Sequence, residues 1–155
     1  MQVSLWSSHA CQLEEISAML DFERSIAVTK QIDIQVKECY ANALYTLLCC
    51  KEFQDGWYVE GFAFITESRN LLEHGWVELT DGSIIDPTFA FLGHGDVEYS
   101  PAIKLNFDQA MELVENSSDV PLILNGSIKH KEAYRKTREE VHKKYSSWIF
   151  SGDFL

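Results

Sequence analysis

Three residues of this sequence bring together a thiol, an imidazole and a carboxylate. Cys39 comes first, His74 follows 35 positions later, and Asp86 lies 12 positions after His74. A thiol attacks a carbonyl carbon as the thiolate, which a helix N-terminus or a neighbouring imidazolium favours. A carboxylate bonded to the other ring nitrogen fixes the tautomer and orientation of the imidazole. These residue types predict a Cys-His-Asp triad that performs acyl transfer.

Each of the three residues also has a structural interpretation. A cysteine on an apolar helix stripe is commonly a small buried hydrophobe, and Asp86-Pro87 can simply end a strand. The same ligand types could bind zinc. However, neither a Cys-x-x-Cys motif nor clustered histidine spacing accompanies them. We therefore expect no metal and no cofactor.

The turn between His74 and Asp86 decides whether the two side chains share one sheet face. A two-residue turn at Asp81-Gly82 would place them on opposite faces. A three-residue loop over 80–82, with Gly82 as the left-handed residue of a bulge, makes them diagonal neighbours on one face. The triad requires the second arrangement, so we predict the three-residue loop.

Hydrophobic periodicity predicts the elements that position these residues. The predicted helices cover 8–22, about 37–51 and a stretch from about Asn106, and the predicted strands cover 57–65, 72–79 and 83–88. Cys39 then lies in the first turn of the second helix. We expect the face that carries His74, Trp76 and Ile84 to pack against this helix. The order of elements predicts a single α+β domain over 1–155.

A basic segment lies near the end of the chain. From Lys129 to Lys144, seven basic residues stand against three acidic ones, a charge of +4, which leaves −15 elsewhere in a chain of net charge −11. Apolar positions at steps of three and four, with Ser127 as N-cap, predict an amphipathic helix over 127–150. We expect its aromatic face to dock on the acidic body and its basic face to be solvated. Docking of a partner on this helix is the alternative.

Composition limits the class of protein. The chain has 155 residues, of which 46% are hydrophobic, enough for one domain with its own core. The net charge of −11 argues against a nucleic-acid partner, because Lys and Arg drive such binding. No apolar run approaches the roughly 20 residues of a membrane span, and no secretory signal pattern opens the sequence. We expect a cytoplasmic protein without membrane contact, whose cysteines are free thiols.

Four short motifs follow one another over about a third of the chain. They read Cys39-Tyr40, Val59-Glu60-Gly61-Phe62, His74-Gly75-Trp76 and Asp86-Pro87-Thr88. This order resembles the transglutaminase-like branch of the papain-like cysteine-enzyme superfamily. The resemblance implies a papain/transglutaminase-like core, in which a nucleophile-bearing helix packs on an antiparallel sheet, with flanking N- and C-terminal helices. It also implies Cys39 as nucleophile, His74 as general base and then acid, and Asp86 as the orienting residue.

The sequence departs from this superfamily around the cysteine. Members often carry Gly shortly before it and Trp directly after it, whereas this chain has Lys37-Glu38 and Tyr40. The departure leaves the substrate class open. The backbone N–H of Cys39 is the expected oxyanion donor, and Gln35, Tyr40 and Trp76 are candidates for oxyanion or substrate binding.

The combined residues favour a thiol-dependent enzyme that hydrolyses an amide or isopeptide bond of a protein or peptide-like substrate. If an amine resolves the thioester instead of water, the same residues make an acyltransferase or cross-linker. A non-catalytic protein-interaction module is the alternative from another class, because a fold does not determine a function. The oligomeric state stays open.

Overall fold

The computed structural model of the chain describes residues 18–116, 120–146 and 149–150. The helices in these ranges are α1 (Phe22–Val28), α2 (Cys39–Cys49), α3 (Pro87–Phe91), α4 (Phe107–Asn116) and α5 (Ile128–Lys144). The strands are β1 (Met19–Leu20), β2 (Trp57–Ile65), β3 (Asn70–Glu78), β4 (Ser83–Ile85), β5 (Val97–Asn106) and β6 (Ile149–Phe150). Short 3-10 turns cover Lys51–Phe53 and Leu122–Asn125. The predicted α+β class is confirmed.

The strands form one mixed sheet in the order β1-β4-β3-β2-β5. Strand β2 pairs antiparallel with β3 over the whole length of both. The other edge of β3 pairs with β4 at Val77 and Glu78, and with β6 at Asn70 and Leu71. Between these two pairings, the middle of β3 around His74 has no strand partner on that edge among the described residues. The predicted triad histidine lies in this gap.

The hairpin between β3 and β4 has the predicted three-residue loop. Val77 pairs with Ile85, and the Leu79 N–H donates to the Ser83 carbonyl at 2.8 Å. Gly82 has a φ of 85°, in the left-handed region that glycine adopts without steric cost. The prediction of this loop is confirmed, and with it the register that places His74 and Asp86 on one sheet face.

Helix α2 packs on the sheet face opposite to the predicted one. Its buried Leu47 shares a core cluster with Val77 and Ile85, whereas Trp76 and Ile84 belong to a separate cluster. The prediction was wrong because β3 is buried on both faces. The alternation of its side chains therefore does not show which face the helix covers.

Helix α5 begins as predicted and ends earlier. The Ser127 Oγ accepts a hydrogen bond from the backbone N–H three residues later, at 3.2 Å. The helix ends at Lys144 instead of near residue 150, and the chain then returns to the sheet as β6. Docking of the aromatic face is confirmed, since the rings of Tyr145 and Phe64 stack with centroids 3.8 Å apart.

Other boundaries differ from prediction for local reasons. The third predicted strand ends at Ile85, because Asp86 caps helix α3 instead of continuing β4. Strand β5 was not predicted, because it contains Pro101 and only two of its ten residues, Ile103 and Leu105, are buried. Of the helix predicted over 8–22, positions 8–17 lie outside the described residues. Met19–Leu20 form a strand, and α1 begins at Phe22.

The helix predicted over about 37–51 is present as α2, and the one predicted from about Asn106 is present as α4. Among the helices of the described ranges, none has both the length and the apolar character that a bilayer crossing requires.

Candidate active site

Cys39 is the first residue of α2 and follows Glu38 at the N-cap position. Its side chain is buried and only 1% exposed. N–H groups in the first turn of a helix have no acceptor within that helix. The backbone N–H of Cys39 is therefore available as a donor for an oxyanion. Of the cysteines predicted to be free thiols, Cys39, Cys49 and Cys50 are free, and Cys11 lies outside the described residues.

Lys37, in the loop before α2, has an unusual backbone conformation. Its φ is 70°, in the left-handed region that favours glycine. The resemblance leads us to expect a glycine shortly before the cysteine. Lys37 stands two positions before Cys39 and adopts a backbone conformation suited to glycine.

Asn42, one turn after Cys39, connects the loop before the thiol to the segment after Asp86. Its Oδ1 accepts from the Gln35 N–H at 3.1 Å, and its Nδ2 donates to the Gln35 carbonyl at 2.9 Å. The same Nδ2 donates to the Thr88 Oγ1 at 3.0 Å. The sequence analysis missed Asn42. Its signal was a polar residue on the apolar stripe of α2, where a buried side chain needs partners.

Gly75 allows the first turn of α2 to lie directly against β3. A Cβ at this position would be 2.8 Å from the Cδ1 and 3.2 Å from the Cα of Tyr40. Tyr40 follows Cys39 directly, so this close approach determines where Cys39 lies relative to the strand that carries His74. The small residue of the His74-Gly75-Trp76 motif therefore has a steric cause.

The His74 imidazole is held by a carboxylate and by an aromatic ring. Its Nε2 lies 2.7 Å from the Oδ2 of Asp86, and both side chains are 0% exposed. The Tyr99 hydroxyl donates to the same Oδ2 at 2.9 Å. The His74 ring stacks on Phe89 with centroids 4.0 Å apart. The structure thus brings His74 and Asp86 together and fixes the orientation of the imidazole.

Asp86 also starts helix α3. Its Oδ1 accepts from the Phe89 N–H at 3.1 Å as an N-cap. Its own N–H donates to the Ser25 Oγ at 3.0 Å, and that hydroxyl donates to the Asp21 carbonyl at 2.6 Å. The carboxylate is thereby held from several directions. Ser25 and Tyr99 were missed, because neither belongs to a recognisable motif.

The His74 ring favours its charged form. Complete burial lowers the pKa of His74, but the Asp86 carboxylate and the Cys39 sulfur outweigh it and raise the pKa to about 10. Nδ1 is buried and has no hydrogen-bond partner within the described part of the chain. Because Asp86 occupies Nε2, Nδ1 is the ring nitrogen that remains for the thiol. The Cys39 sulfur lies close enough to this ring to raise the pKa of His74.

Comparison of the chain with protein-family models, with curated proteins and with solved structures found no match. The resemblance to the transglutaminase-like enzymes therefore depends on the four sequence motifs alone.

The three candidates for oxyanion or substrate binding lie in different surroundings. The Gln35 Nε2 donates to the Asp33 carboxylate at 2.9 Å in an exposed hydrogen bond. Trp76 is 0% exposed and packs in the core with Ile84, and its Nε1 has no hydrogen-bond partner among the described residues. Tyr40 lines a cleft. Of the three, only Tyr40 is among the residues that line this cleft.

The described ranges contain no group of three or more His, Cys, Asp or Glu side chains that could hold a metal ion.

A cleft of about 650 Å³ opens at the first turn of α2, and neither Cys39 nor His74 is among the residues that line it. It includes Glu38 and Tyr40, which flank Cys39, and Glu73, which precedes His74. The rest of its lining falls into three groups. An apolar segment contributes Val120, Pro121, Ile123 and Leu124, and the loop before α2 contributes Lys37. One face of α5 contributes Lys131, Tyr134, Arg135 and Arg138. We call this space the Cys39 cleft.

Glu60 holds the apolar wall of the Cys39 cleft in place. Its Oε1 accepts from the Leu122 N–H and from the Tyr58 hydroxyl, and its Oε2 accepts from the Ile123 N–H at 3.0 Å. Burial raises the pKa of Glu60 to about 7, although these three hydrogen bonds lower it. The sequence analysis quoted Glu60 only as the variable position of a motif. Its signal was an isolated charge inside an otherwise apolar and aromatic strand.

Proposed function

We propose that this chain is a cysteine-dependent acyl-transfer enzyme that hydrolyses an amide or isopeptide bond in a protein or peptide-like substrate. The observation that carries this proposal is the buried His74–Asp86 pair at 2.7 Å. Its remaining ring nitrogen is left for Cys39 at the start of α2. A thiol, an imidazole and an orienting carboxylate in this order are the parts of a nucleophilic triad.

The proposed fold is a papain/transglutaminase-like core. Its support is the packing of α2, which carries the thiol, against antiparallel strands β2, β3 and β4. Helices α1 and α5 flank this core on either side of it in the sequence.

The first half of the reaction makes a thioester. The Cys39 thiolate attacks the carbonyl carbon of the amide, and the oxyanion accepts a hydrogen bond from the Cys39 N–H. The carbon–nitrogen bond then breaks as His74 gives its Nδ1 proton to the leaving amine. Asp86 keeps the ring in the required orientation through Nε2.

The second half regenerates the enzyme. Water attacks the thioester carbon while the Nδ1 of His74 takes one of its protons. The carbon–sulfur bond breaks, and the sulfur leaves as a thiolate beside the imidazolium. The net reaction converts one amide and one water into a carboxylic acid and an amine. An amine in place of water would make the chain an acyltransferase or cross-linker.

One observation favours the competing function, a non-catalytic interaction module on the same fold. Cys39 is only 1% exposed, and buried structural cysteines are unreactive. A substrate carbonyl reaches its sulfur only after a covering group moves. The test must therefore separate the chemistry of the thiol from access to it.

The deciding experiment compares each cysteine with itself at two pH values. Alkylation by iodoacetamide is measured at pH 6 and pH 8 and read by peptide mass spectrometry. An ordinary thiol slows by roughly 50- to 100-fold between pH 8 and pH 6, because its thiolate fraction falls. For Cys39 beside a protonated His74, we expect less than about a fivefold change. Limited access to the buried sulfur affects both rates equally and divides out.

His74→Ala should make the rate at Cys39 as dependent on pH as the rate at exposed Cys49. His94→Ala is the matched control, since His94 contacts the edge of the same Phe89 ring from outside the site. It should leave the Cys39 profile unchanged. If Cys39 slows as steeply as Cys49 in the wild-type chain, or is inert at both pH values, the enzyme proposal is wrong and the interaction module takes its place.

A further inference from the structure

The Cys39 cleft has a charge opposite to that of the rest of the protein. Its lining contains four basic residues and two acidic ones, whereas the whole chain has a net charge of −11. Lys131, Arg135 and Arg138 are spaced by four and three positions, so they project from one face of α5. A negatively charged ligand is repelled by most of this surface and attracted by this cleft.

Both lysines of the cleft lining are available to a ligand. Within the described residues, neither Lys37 nor Lys131 makes an ion pair. Arg135 pairs with Glu139 on the helix surface, where both side chains remain more than half exposed, and such exposed pairs contribute little. An incoming carboxylate can therefore bind these cations without breaking a strong ion pair.

The opposite wall of the cleft is apolar and continues to its rim. Leu124 lines the cleft and is 60% exposed, and Ile128, which opens α5, is 78% exposed. A volume of about 650 Å³ suits a small ligand or a short chain segment and is far too small for a folded domain. The cleft thus presents cations on one wall and apolar side chains on the other.

We propose that the Cys39 cleft binds an acidic peptide segment whose carboxylates meet the basic face of α5 and whose apolar side chains meet the 120–124 wall. This inference rests on the proposed function in one respect, since it assigns the segment to the substrate beside the bond that Cys39 attacks. Glu38, which directly precedes Cys39, and Glu73 on β3 contribute negative charge to the lining of the cleft. The carboxylates of the segment therefore bind toward α5, away from the reacting bond.

The test is fluorescence anisotropy with the full chain at low ionic strength. The probe is a short fluorescein-labelled peptide of alternating Glu and Leu, and its counterpart has Gln in place of Glu. We expect the Glu peptide to bind, the Gln peptide to bind at least about tenfold more weakly, and added salt to weaken binding of the Glu peptide.

The Lys131→Gln/Arg135→Gln double variant should weaken binding of the Glu peptide by about tenfold or more. The matched control is Lys129→Gln/Lys136→Gln, which removes the same charge from α5 outside the cleft and should change binding by less than about threefold. Equal losses in the two double variants would show nonspecific attraction and would overturn the proposal. Tighter binding of a labelled single-stranded oligonucleotide than of the Glu peptide would overturn it as well.

Failure of this inference can be told apart from failure of the proposed function. Binding that depends on Lys131 and Arg135, with an ordinary alkylation profile at Cys39, supports the peptide cleft without the chemistry. A distinctive Cys39 profile with no binding of the Glu peptide supports the chemistry and contradicts the acidic segment. Mass spectrometry of the probe after titration shows whether it is also cleaved.

Discussion

Gly75 and Tyr40 are in contact at the point where helix α2 meets strand β3. A Cβ at Gly75 would lie 2.8 Å from a ring carbon and 3.2 Å from the Cα of Tyr40. Because Cys39 and His74 are the residues immediately before this pair, the contact positions the thiol relative to the imidazole. The site therefore depends on a residue that has no side chain.

Gly75→Ala should destabilise the protein by about 1–3 kcal/mol, because the added methyl group pushes the backbone of α2 away from β3. It should also make alkylation of Cys39 depend more steeply on pH, since the thiol moves away from His74. Urea unfolding and the two-pH alkylation assay measure the two effects. Gly95→Ala is the control, because its nearest foreign atom would lie 3.8 Å away, and we expect a change within about 0.5 kcal/mol. Equal effects of the two substitutions would contradict the steric argument.

Asp86 has a capping role and an orienting role, which two substitutions separate. Asp86→Asn keeps an oxygen for the Phe89 N–H and removes the charge that raises the pKa of His74. We expect it to retain α3 and to lose the shallow alkylation profile of Cys39. Asp86→Ala should show the same profile and cost about 1 kcal/mol more, because the cap is also lost. A shallow profile that persists in Asp86→Asn would show that the carboxylate does not act on His74.

The raised pKa of His74 makes part of the stability depend on pH. The value is about 10 in the folded protein and 6.5 for an ordinary histidine. The folded state therefore holds a proton that the unfolded chain releases. This contribution is complete below pH 6.5 and disappears as the pH rises through about 10.

The free energy of unfolding of the wild-type protein should therefore exceed that of His74→Gln by more at pH 6.5 than at pH 9.5. Urea unfolding of both chains at the two pH values measures the difference, and the titration of other groups common to both chains cancels. A difference that does not shrink with rising pH would show that His74 is not stabilised as the cation.

The raised pKa of Glu60 favours the neutral form of its carboxyl group, whereas the raised pKa of His74 favours the charged form of its ring. The carboxyl has a pKa of about 7 in the folded protein and 4.5 ordinarily, so stability from its protonated form is complete below pH 4.5 and is lost as the pH rises through 7. Glu60→Gln cannot ionise. Relative to the wild-type chain, this variant should therefore gain stability between pH 5 and pH 8, by up to about 3 kcal/mol.

Glu60→Gln should also loosen the wall of the Cys39 cleft, because one amide oxygen cannot accept all three hydrogen bonds that the carboxylate accepts. Slower hydrogen exchange is expected for the Ile123 N–H in the wild-type chain than in the variant. The proposed role of Glu60 in holding this segment would be wrong if the Ile123 N–H exchanged at the same rate in both chains and the stability difference between them stayed the same from pH 5 to pH 8.

The local features of the site were readable from the sequence. A helix that carries Cys39 in its first turn follows from apolar steps of three and four, and the loop at Gly82 follows from the requirement that His74 and Asp86 share one face. Each of these depends on residues close together in the chain, where backbone geometry and side-chain period act directly. The capping by Ser127 is of the same kind.

Tertiary structure alone decided the rest. The face of β3 that α2 covers could not be read, because both faces are apolar and a period of two treats them alike. Two sets of contacts join distant parts of the chain. Asn42 links Gln35 to Thr88, and Glu60 binds the segment that forms the apolar wall of the Cys39 cleft. Such contacts arise only when the elements pack, since a buried polar group takes whichever partner the packing brings near it.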